Sequence, residues 1–349
     1  MSCAHSDFPR TLHGASGDCR VVIGPVAREL QPLVGRSRVV VLTDACVRRL
    51  HDASFPPGDV IEIGQGETSK SLETVETVFE RLLALGVDTD TMIVGIGGGL
   101  VCDVAGFVGA TWLRGLRVGL VPTTLLAQAD AGVGGKNGVN FGGLKNLIGT
   151  IRQPSFVLCD PAFLHTLPAC ELRNGLAEVV KTAAVRDASL FRFLEDQAEA
   201  LLRSDSDTIQ HAVCGALRVK LGVVQSDELG AGERVVLNFG HTLGHALEAT
   251  TGMRHGECVS IGMVFASRLS EARTGLPSEG TRRLEELLRR LGLPATLPGV
   301  DAPSVLEAVR RDKKRAGSSV RMALLRQIGD ALVETVPLGE LEAAVARVR

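Results

Sequence analysis

Thr91-Met-Ile-Val-Gly95-Ile-Gly97-Gly98-Gly99-Leu-Val-Cys-Asp103 is the stretch on which the fold of this chain turns. Thr91 to Ile96 is an apolar run of strand length, the glycines end it, and an apolar helix pattern runs from about Val101 to Ala110. A strand that turns through glycine into a helix presents free backbone N–H groups at the helix N-terminus, where a pyrophosphate can be held. The run is not a strict dinucleotide fingerprint, because Leu100 stands at the third glycine position. It also lacks the Gly-Lys-Ser/Thr end of a P-loop. Taken alone, it suits a tight strand-to-helix turn without a ligand as well.

Working outward, Val39-Val-Val-Leu42 reads as a buried strand ending at Thr43-Asp44, and Val60 to Ile63 as a second. Ser71 to Leu85 spaces Val75, Val78, Phe79, Leu82 and Leu83 as a helix closed by Gly86. Val118 to Val121 and Phe156 to Cys159 complete the strands, and the alternation predicts a parallel α/β layer. Beyond Asp160-Pro161, helical periodicity is nearly continuous from Glu171 to about Gly275. Helices near Glu279 to Leu291 and Ser304 to Lys313 follow, then strand-like Val320 to Leu325 and Ala331 to Glu334. The expected architecture is an α/β, Rossmann-like domain over residues 1–165 and a mainly α-helical domain over 166–349.

Composition limits the function. The 349 residues carry 38 Lys+Arg against 40 Asp+Glu and are 45% hydrophobic, a globular balance with no basic field for nucleic acid. No run of about 18 apolar residues is present, so no membrane span is expected. Met1 to Gly17 holds His5, Asp7, Arg10 and His13 without an apolar core and does not read as a signal peptide. Eight scattered cysteines without a C-x-x-C pair read as reduced, cytosolic thiols. With aromatics at 3% and no tyrosine, stacking platforms are scarce, whereas glycines crowd between Gly95 and Gly149.

A metal ion needs imidazole and carboxylate ligands in tetrahedral array, and the helical half offers Glu178, His241, His245 and His255. Spacing alone selects His241 and His245, four apart on one helix face, a pattern that two solvated histidines share. Lys136, Lys145-Asn146, Lys181, Lys220, Arg234 and Lys313-Lys314 stand in apolar or glycine-rich surroundings. Each alone suits a surface cation; together they suit a multiply anionic substrate.

Several segments carry a resemblance in order and spacing. They are Gly64-Gln-Gly-Glu67-Thr-Ser-Lys70, Gly97-Gly-Gly-Leu-Val-Cys-Asp103, Arg114-Gly115, Pro122-Thr-Thr-Leu-Leu-Ala-Gln-Ala-Asp130, Gly134-Gly-Lys136 and Leu144-Lys-Asn146. Later come Leu176-Ala-Glu178-Val-Val-Lys181, Arg234-Val-Val-Leu-Asn238-Phe-Gly-His241-Thr-Leu-Gly-His245 and His255-Gly-Glu-Cys258. Through them the chain resembles the 3-dehydroquinate synthases of the sugar-phosphate cyclase family over nearly its whole length. The resemblance implies a redox-neutral carbon–oxygen lyase using NAD and zinc, or cobalt. Such an enzyme cyclises 3-deoxy-D-arabino-heptulosonate 7-phosphate to 3-dehydroquinate in the shikimate route to aromatic amino acids. Transient oxidation of a hydroxyl acidifies the neighbouring C–H, phosphate leaves by β-elimination, hydride returns, and an intramolecular aldol closes the ring. In this family the substrate phosphate can itself take the proton, so no dedicated carbon base is required.

Carried over residue by residue, the metal ligands implied are Glu178, His241 and His255, which replaces the spacing-based pair. His245 becomes a phosphate contact and proton relay, joined on the phosphate by Lys136, Asn146, Asn238 and Lys313 or Lys314. Arg114 is implied to reach the phosphate from the partner subunit of a homodimer. Lys220 and Arg234 take the carboxylate, while Asp130 and Lys181 meet ring hydroxyls. NAD lies along Asp44, Glu67, Lys70, Gly97, Gly98, Gly99, Asp103, Thr123, Thr124, Asp130, Lys136, Lys145 and Thr166.

The chain departs from that pattern in places. Cys46 replaces an Asn on the adenosine side, and Ala131, Gly132 and Asn137 replace the usual Ser-Ser and Thr. The piece from Asp130 to Asn146 is similar to cyclases that act on sedoheptulose 7-phosphate. Arg234, Asn238 and His245 are nevertheless retained, and Arg234 left unpaired over a substrate without a carboxylate would cost on the order of 3 kcal/mol. The carboxylated substrate is therefore the expectation. A sister cyclase, on sedoheptulose 7-phosphate or on the amino analogue of the heptulosonate, is the alternative. A metal-dependent polyol dehydrogenase leaves Lys136, Asn146 and Arg234 unexplained.

Overall fold

A computed structural model of the chain describes residues 8–230, 232–296, 302–310, 315–316 and 319–347. The chain divides into two compact units, residues 1–167 and 168–349.

The first unit contains β1 (Arg10–Gly14), β2 (Gly17–Ile23), α1 (Val26–Val34), β3 (Val39–Asp44), α2 (Ala45–His51), β4 (Asp59–Ile63) and α3 (Leu72–Ala84). It continues through β5 (Met92–Gly97), α4 (Gly99–Thr111), β6 (Arg117–Pro122), β7 (Lys136–Phe141), β8 (Leu144–Ile151) and β9 (Phe156–Cys159). Seven strands form one sheet in the order β1-β2-β9-β6-β5-β3-β4. All neighbours are parallel except β1 and β2, which form an antiparallel pair. The composition of β3 and β5 explains their central place: every residue of β5 is buried, and Val39 to Thr43 are too. Strands apolar on both faces belong in a parallel sheet covered on both sides. The helix expected from Ser71 forms with Ser71 capping it through Thr74 N–H, and it buries Val75, Val78 and Leu82.

The strand order places the site. From β3 the chain steps outward to β4, then returns to the other side of β3 as β5 and continues to β6. That reversal is a topological switch point, and ligands of open α/β sheets bind beyond the strand C-termini there. Asp44 and Gly97 are the last residues of β3 and β5.

Besides helices α1 and α2, two features of this unit are absent from the sequence reading. One is the β1–β2 pair, which makes the sheet mixed rather than wholly parallel. The other is the β7–β8 hairpin, closed by Gly142 and Gly143 at φ 59° and 77°. A Gly-Gly pair at positive φ is the usual two-residue hairpin turn, so this signal was present in the sequence.

The second unit is mainly helical. It comprises α5 (Ala169–Arg186), α6 (Ala188–Asp196), α7 (Ala198–Leu202), α8 (Ser206–Ser226), α9 (His241–Thr251), α10 (His255–Thr274), α11 (Ser278–Arg290) and α12 (Ala302–Arg310). The short β10 (Arg315–Ala316), β11 (Ser319–Gln327) and β12 (Asp330–Pro337) form an antiparallel sheet, followed by α13 (Leu338–Arg347). Helix α10 packs on α9, α5 and β11 and is apolar on almost every side, as a central helix must be. No helix of the described residues is long and apolar enough to cross a membrane.

Candidate active site

In the first unit the glycine turn is built as its sequence requires. Thr123 N–H donates to Gly97 O at 2.9 Å, joining the ends of β5 and β6, and Gly98 precedes the first residue of α4. No side chain caps α4 among the described residues, so its first N–H groups face outward as donors. Gly97 is required by packing: a Cβ there would stand 2.5 Å from Val101 Cγ2. Thr124 and Ala131 close in beside Gly98 and Gly99, 3.1 and 3.3 Å from where their Cβ atoms would lie.

Several expected NAD residues are brought together nearby. Lys70 and Asp103 form a mostly buried ion pair. Glu67 Oε1 lies 3.4 Å from Lys145 Nζ. Asp44 Oδ1 accepts from Cys46 N–H and Val47 N–H at 2.9 and 3.1 Å, capping α2, and from Gln65 Nε2 at 2.8 Å. The expected phosphate contact Asn146 has φ 49°, and its N–H donates to Asn140 Oδ1 at 2.9 Å. Asn140 was missed by sequence reasoning: its Nδ2 also donates to Glu67 Oε1 at 2.8 Å, tying the hairpin to the Glu67–Lys70 segment. Asp130 sits in a single π-helical turn, Ala127–Ala131, a distortion frequent at functional sites. Lys136 opens β7 and is exposed.

Two further expected residues are exposed. Thr166 Oγ1 pairs with His51 at 3.0 Å. Arg114 is exposed, and both it and Leu113 hold positive φ, 66° and 47°, an uncommon state for non-glycine residues.

In the second unit, the ligand atoms of Glu178, His241 and His255 all lie within 4.8 Å of one another. Glu178 projects from the middle of α5, while His241 and His255 are the first residues of α9 and α10. Glu178 is 0% exposed, and its Oε1 accepts no hydrogen bond from the described residues. That oxygen lies 3.5 Å from His241 Nε2 and 3.4 Å from His255 Nε2. Two ligands of one tetrahedral zinc stand about 3.3 Å apart, so these separations suit a shared ion. The far ring nitrogens are held as metal-binding imidazoles require. His241 Nδ1 donates to Phe239 O at 3.2 Å, and His255 Nδ1 faces Glu248 Oε2 at 3.3 Å. The residues fit a divalent metal. His245, the other half of the pair chosen by helical spacing, is exposed and outside the cluster; its ring centroid is 5.2 Å from that of His241.

One buried cation meets the cluster's carboxylate, and two more are buried in the same unit. Lys181 Nζ lies 2.5 Å from Glu178 Oε2, and Lys181, Lys220 and Arg234 are all buried. Arg234 N–H donates to Asp227 Oδ2 at 2.9 Å and its Nη1 to Glu228 O at 2.6 Å. Asp227, also missed by sequence reasoning, accepts in addition from Gly230 and Gly232 N–H and so shapes the loop that carries Arg234. Asn238 is half-buried at the end of the same segment. Lys313 and Lys314 lie outside the described residues.

The electrostatics separate the two metal-facing histidines. Burial drives His241 well below the ordinary histidine value, outweighing the pull of Glu178. Burial acts the same way on His255, but Glu178 and Glu248 overcome it and push it up to about 10. Burial raises Glu178, and Lys181, His241 and His255 more than reverse this, holding it well below the carboxylate range. A sign follows for protein stripped of metal by chelation. His255 rises from 6.5 to about 10 on folding, so its stabilisation is full below 6.5 and is lost as pH rises through about 10. Zinc must displace that proton. We expect apparent zinc affinity to climb roughly tenfold per unit between about pH 7 and 9, with about one proton released per ion, measured by calorimetry in buffers of different ionisation enthalpy.

The family profiles of the 3-dehydroquinate synthase N-terminal and C-terminal domains match residues 60–174 and 175–315. The chain belongs to the 3-dehydroquinate synthase family. A 3-dehydroquinate synthase of Halorhodospira halophila is 44% identical over 276 residues, 78% of this chain and 78% of the relative. One of Xylella fastidiosa is 42% identical over 299 residues, covering 83% and 80%. Among solved structures, 2-epi-5-epi-valiolone synthase of Streptomyces hygroscopicus, with NAD+ and Zn2+ bound, is 31% identical with a TM-score of 0.85, covering 93% and 95% of the two chains. A 2-deoxy-scyllo-inosose synthase complexed with carbaglucose-6-phosphate, NAD+ and Co2+ shares the fold, with a TM-score of 0.88 at 24% identity and coverage of 97% and 100%. In a 3-dehydroquinate synthase, the glycine turn and the Glu178 cluster therefore mark the places to look for cofactor and metal.

Proposed function

We propose that this protein is a 3-dehydroquinate synthase that converts 3-deoxy-D-arabino-heptulosonate 7-phosphate to 3-dehydroquinate and phosphate, a carbon–oxygen lyase reaction. The observation that carries the reading is the Glu178–His241–His255 cluster, with buried Lys181 on its carboxylate, in a chain of this family. Residues 1–165 are the proposed NAD domain and 166–349 the metal and substrate domain.

Glu178, His241 and His255 would hold zinc or cobalt, and the Gly97–Gly99 turn with Lys70 and Asp103 would hold NAD. When bound, NAD+ takes and returns a hydride, and the metal ion polarises the oxygen on the carbon being oxidised. The chain's own groups bind and orient. Arg234 and Lys220 present buried positive charge to the carboxylate, where a guanidinium fork fits two oxygens. Lys181 neutralises the second oxygen of Glu178 and is placed to meet a ring hydroxyl. The phosphate partners proposed are Lys136, Asn146, Asn238 and His245.

The proposal includes a homodimer in which Arg114 reaches the neighbouring copy. Supporting it, Leu113 beside Arg114 is 51% exposed, and the hairpin leaves Phe141, Leu144 and Leu147 exposed. A cytoplasmic location is part of the same reading, supported by the seven described cysteines, all free.

A likeness of 31% to a 2-epi-5-epi-valiolone synthase keeps a second cyclase activity as the competing reading. The test is phosphate release with NAD+ and Zn2+ from the heptulosonate phosphate and sedoheptulose 7-phosphate in parallel, with products weighed by mass spectrometry. Release from the first alone, giving dehydroquinate without net NADH, is expected. Release from sedoheptulose 7-phosphate alone would overturn the reading, and accumulating NADH would make the protein a dehydrogenase.

A further inference from the structure

We propose that Asn174 is a positioning residue of the metal site: its side chain fixes the start of α10, and with it His255, against Glu178. The proposal rests on the metal site described above. Asn174 stands one turn before Glu178 on α5 and is more than nine-tenths buried. Its Oδ1 accepts from Gly256 N–H at 2.5 Å, and its Nδ2 donates to Glu171 Oε2 at 3.2 Å. Glu171 Oε1 in turn lies 3.4 Å from Arg254 Nε. Two residues of α5 thus grip the two residues that flank His255 in the chain.

The chemistry calls for an amide. Gly256 N–H is among the first donors of α10, which have no carbonyl within the helix, so an acceptor is needed there. The other side of the position faces a carboxylate, so a donor is needed as well, and one Asn side chain supplies both. The approach is close: a Cβ on Gly256 would stand 2.7 Å from Asn174 Oδ1 and collide with the Asn174 backbone oxygen. Because Asn174 and Glu178 share one face of one rigid helix, a clamp at the first sets the distance of 3.4 Å from His255 Nε2 to Glu178 Oε1. His241 is oriented separately, through Phe239 O. Releasing the clamp therefore loosens one ligand of three.

The experiment uses the full chain. Zinc affinity is read by competition with a chelating dye, and ligand geometry by the visible spectrum of Co2+ in place of zinc. Asn174→Ala is expected to weaken zinc binding about 10–100-fold, as loss of outer partners of metal ligands does, and to change the Co2+ spectrum while NAD+ binding is unchanged. Asn174→Asp combined with Glu171→Gln keeps the acceptor for Gly256 N–H and restores a donor between positions 171 and 174, and this double variant is expected to stay within about threefold of the natural protein. Natural affinity and spectrum in Asn174→Ala, or an equal loss in both variants, would overturn the role. If Asn174→Ala does not fold, Gly256→Ala probes the same contact from the other side: the same loss is expected, and natural affinity overturns the role. Glu178→Gln separates the two levels. Loss of zinc there with retention in Asn174→Ala fails the clamp alone; retention in both fails the metal site.

Discussion

Glu178→Gln is expected to lose zinc and turnover together. Gln preserves the volume, so no cavity forms, but the charge facing three groups disappears. Glu178 Oε1 is the atom common to His241 Nε2 and His255 Nε2, and Oε2 neutralises Lys181, which is itself 1% exposed. A first ligand is lost, so zinc affinity should fall by more than the roughly 10–100-fold that an outer partner costs. Stability should fall as well: removing one partner of a buried ion pair typically costs about 3–5 kcal/mol. Metal analysis of the purified variant, thermal unfolding and phosphate release form the test. Stoichiometric zinc with full turnover would end the ligand assignment. A second variant, Lys181→Met, removes the stranded cation from the Glu178→Gln background; it should restore stability without restoring zinc.

The second large effect is expected at Arg234. Its guanidinium is buried, and Asp227 together with the Glu228 carbonyl fixes its loop and its direction. Removing one partner of a buried charged contact costs about 2–5 kcal/mol, or about 30-fold to several thousandfold in kcat/KM for a carboxylated substrate. The carboxylate is remote from the carbons at which hydride and phosphate leave, so in those steps it is bound alike in ground and transition states, and the loss should fall mainly on KM for phosphate release. Arg234→Lys keeps charge without the two-pronged fork and should fall between. A KM for the heptulosonate phosphate unchanged in Arg234→Ala would remove the carboxylate role, and with it the main argument against a sedoheptulose phosphate cyclase.

The glycine turn and the metal cluster were not equally legible in the sequence. Glycine at 97 is needed because Val101 packs against it one helical turn later, a local steric demand that leaves a local signature. The metal cluster has no such signature. His241 and His245 share a helix face, yet His245 is exposed and the other two ligands come from α5 and α10. The likeness to a family placed Glu178 there; spacing could not. The hairpin was missed because Phe141, Leu144 and Leu147 are all exposed, so apolar alternation does not mark a buried face. Asn140, Asp227 and Asn174 were missed for another reason: single polar residues in a strand, a loop or a helix carry no pattern that announces their partners.

What the sequence determined by itself is what neighbouring residues dictate: strands β3 to β6 and β9 of the first unit, the glycine turn, the helical run of the second, and membership of a motif family. Each depends on periodicity or on a steric need within a few positions. Only the tertiary structure decided which distant groups meet: Glu178 with His241 and His255, Asn140 with Glu67, and Asn174 with Gly256 across 82 positions. Such contacts follow from how helices and strands pack, and packing is settled by the burial of apolar faces that are silent about which polar groups they bring together.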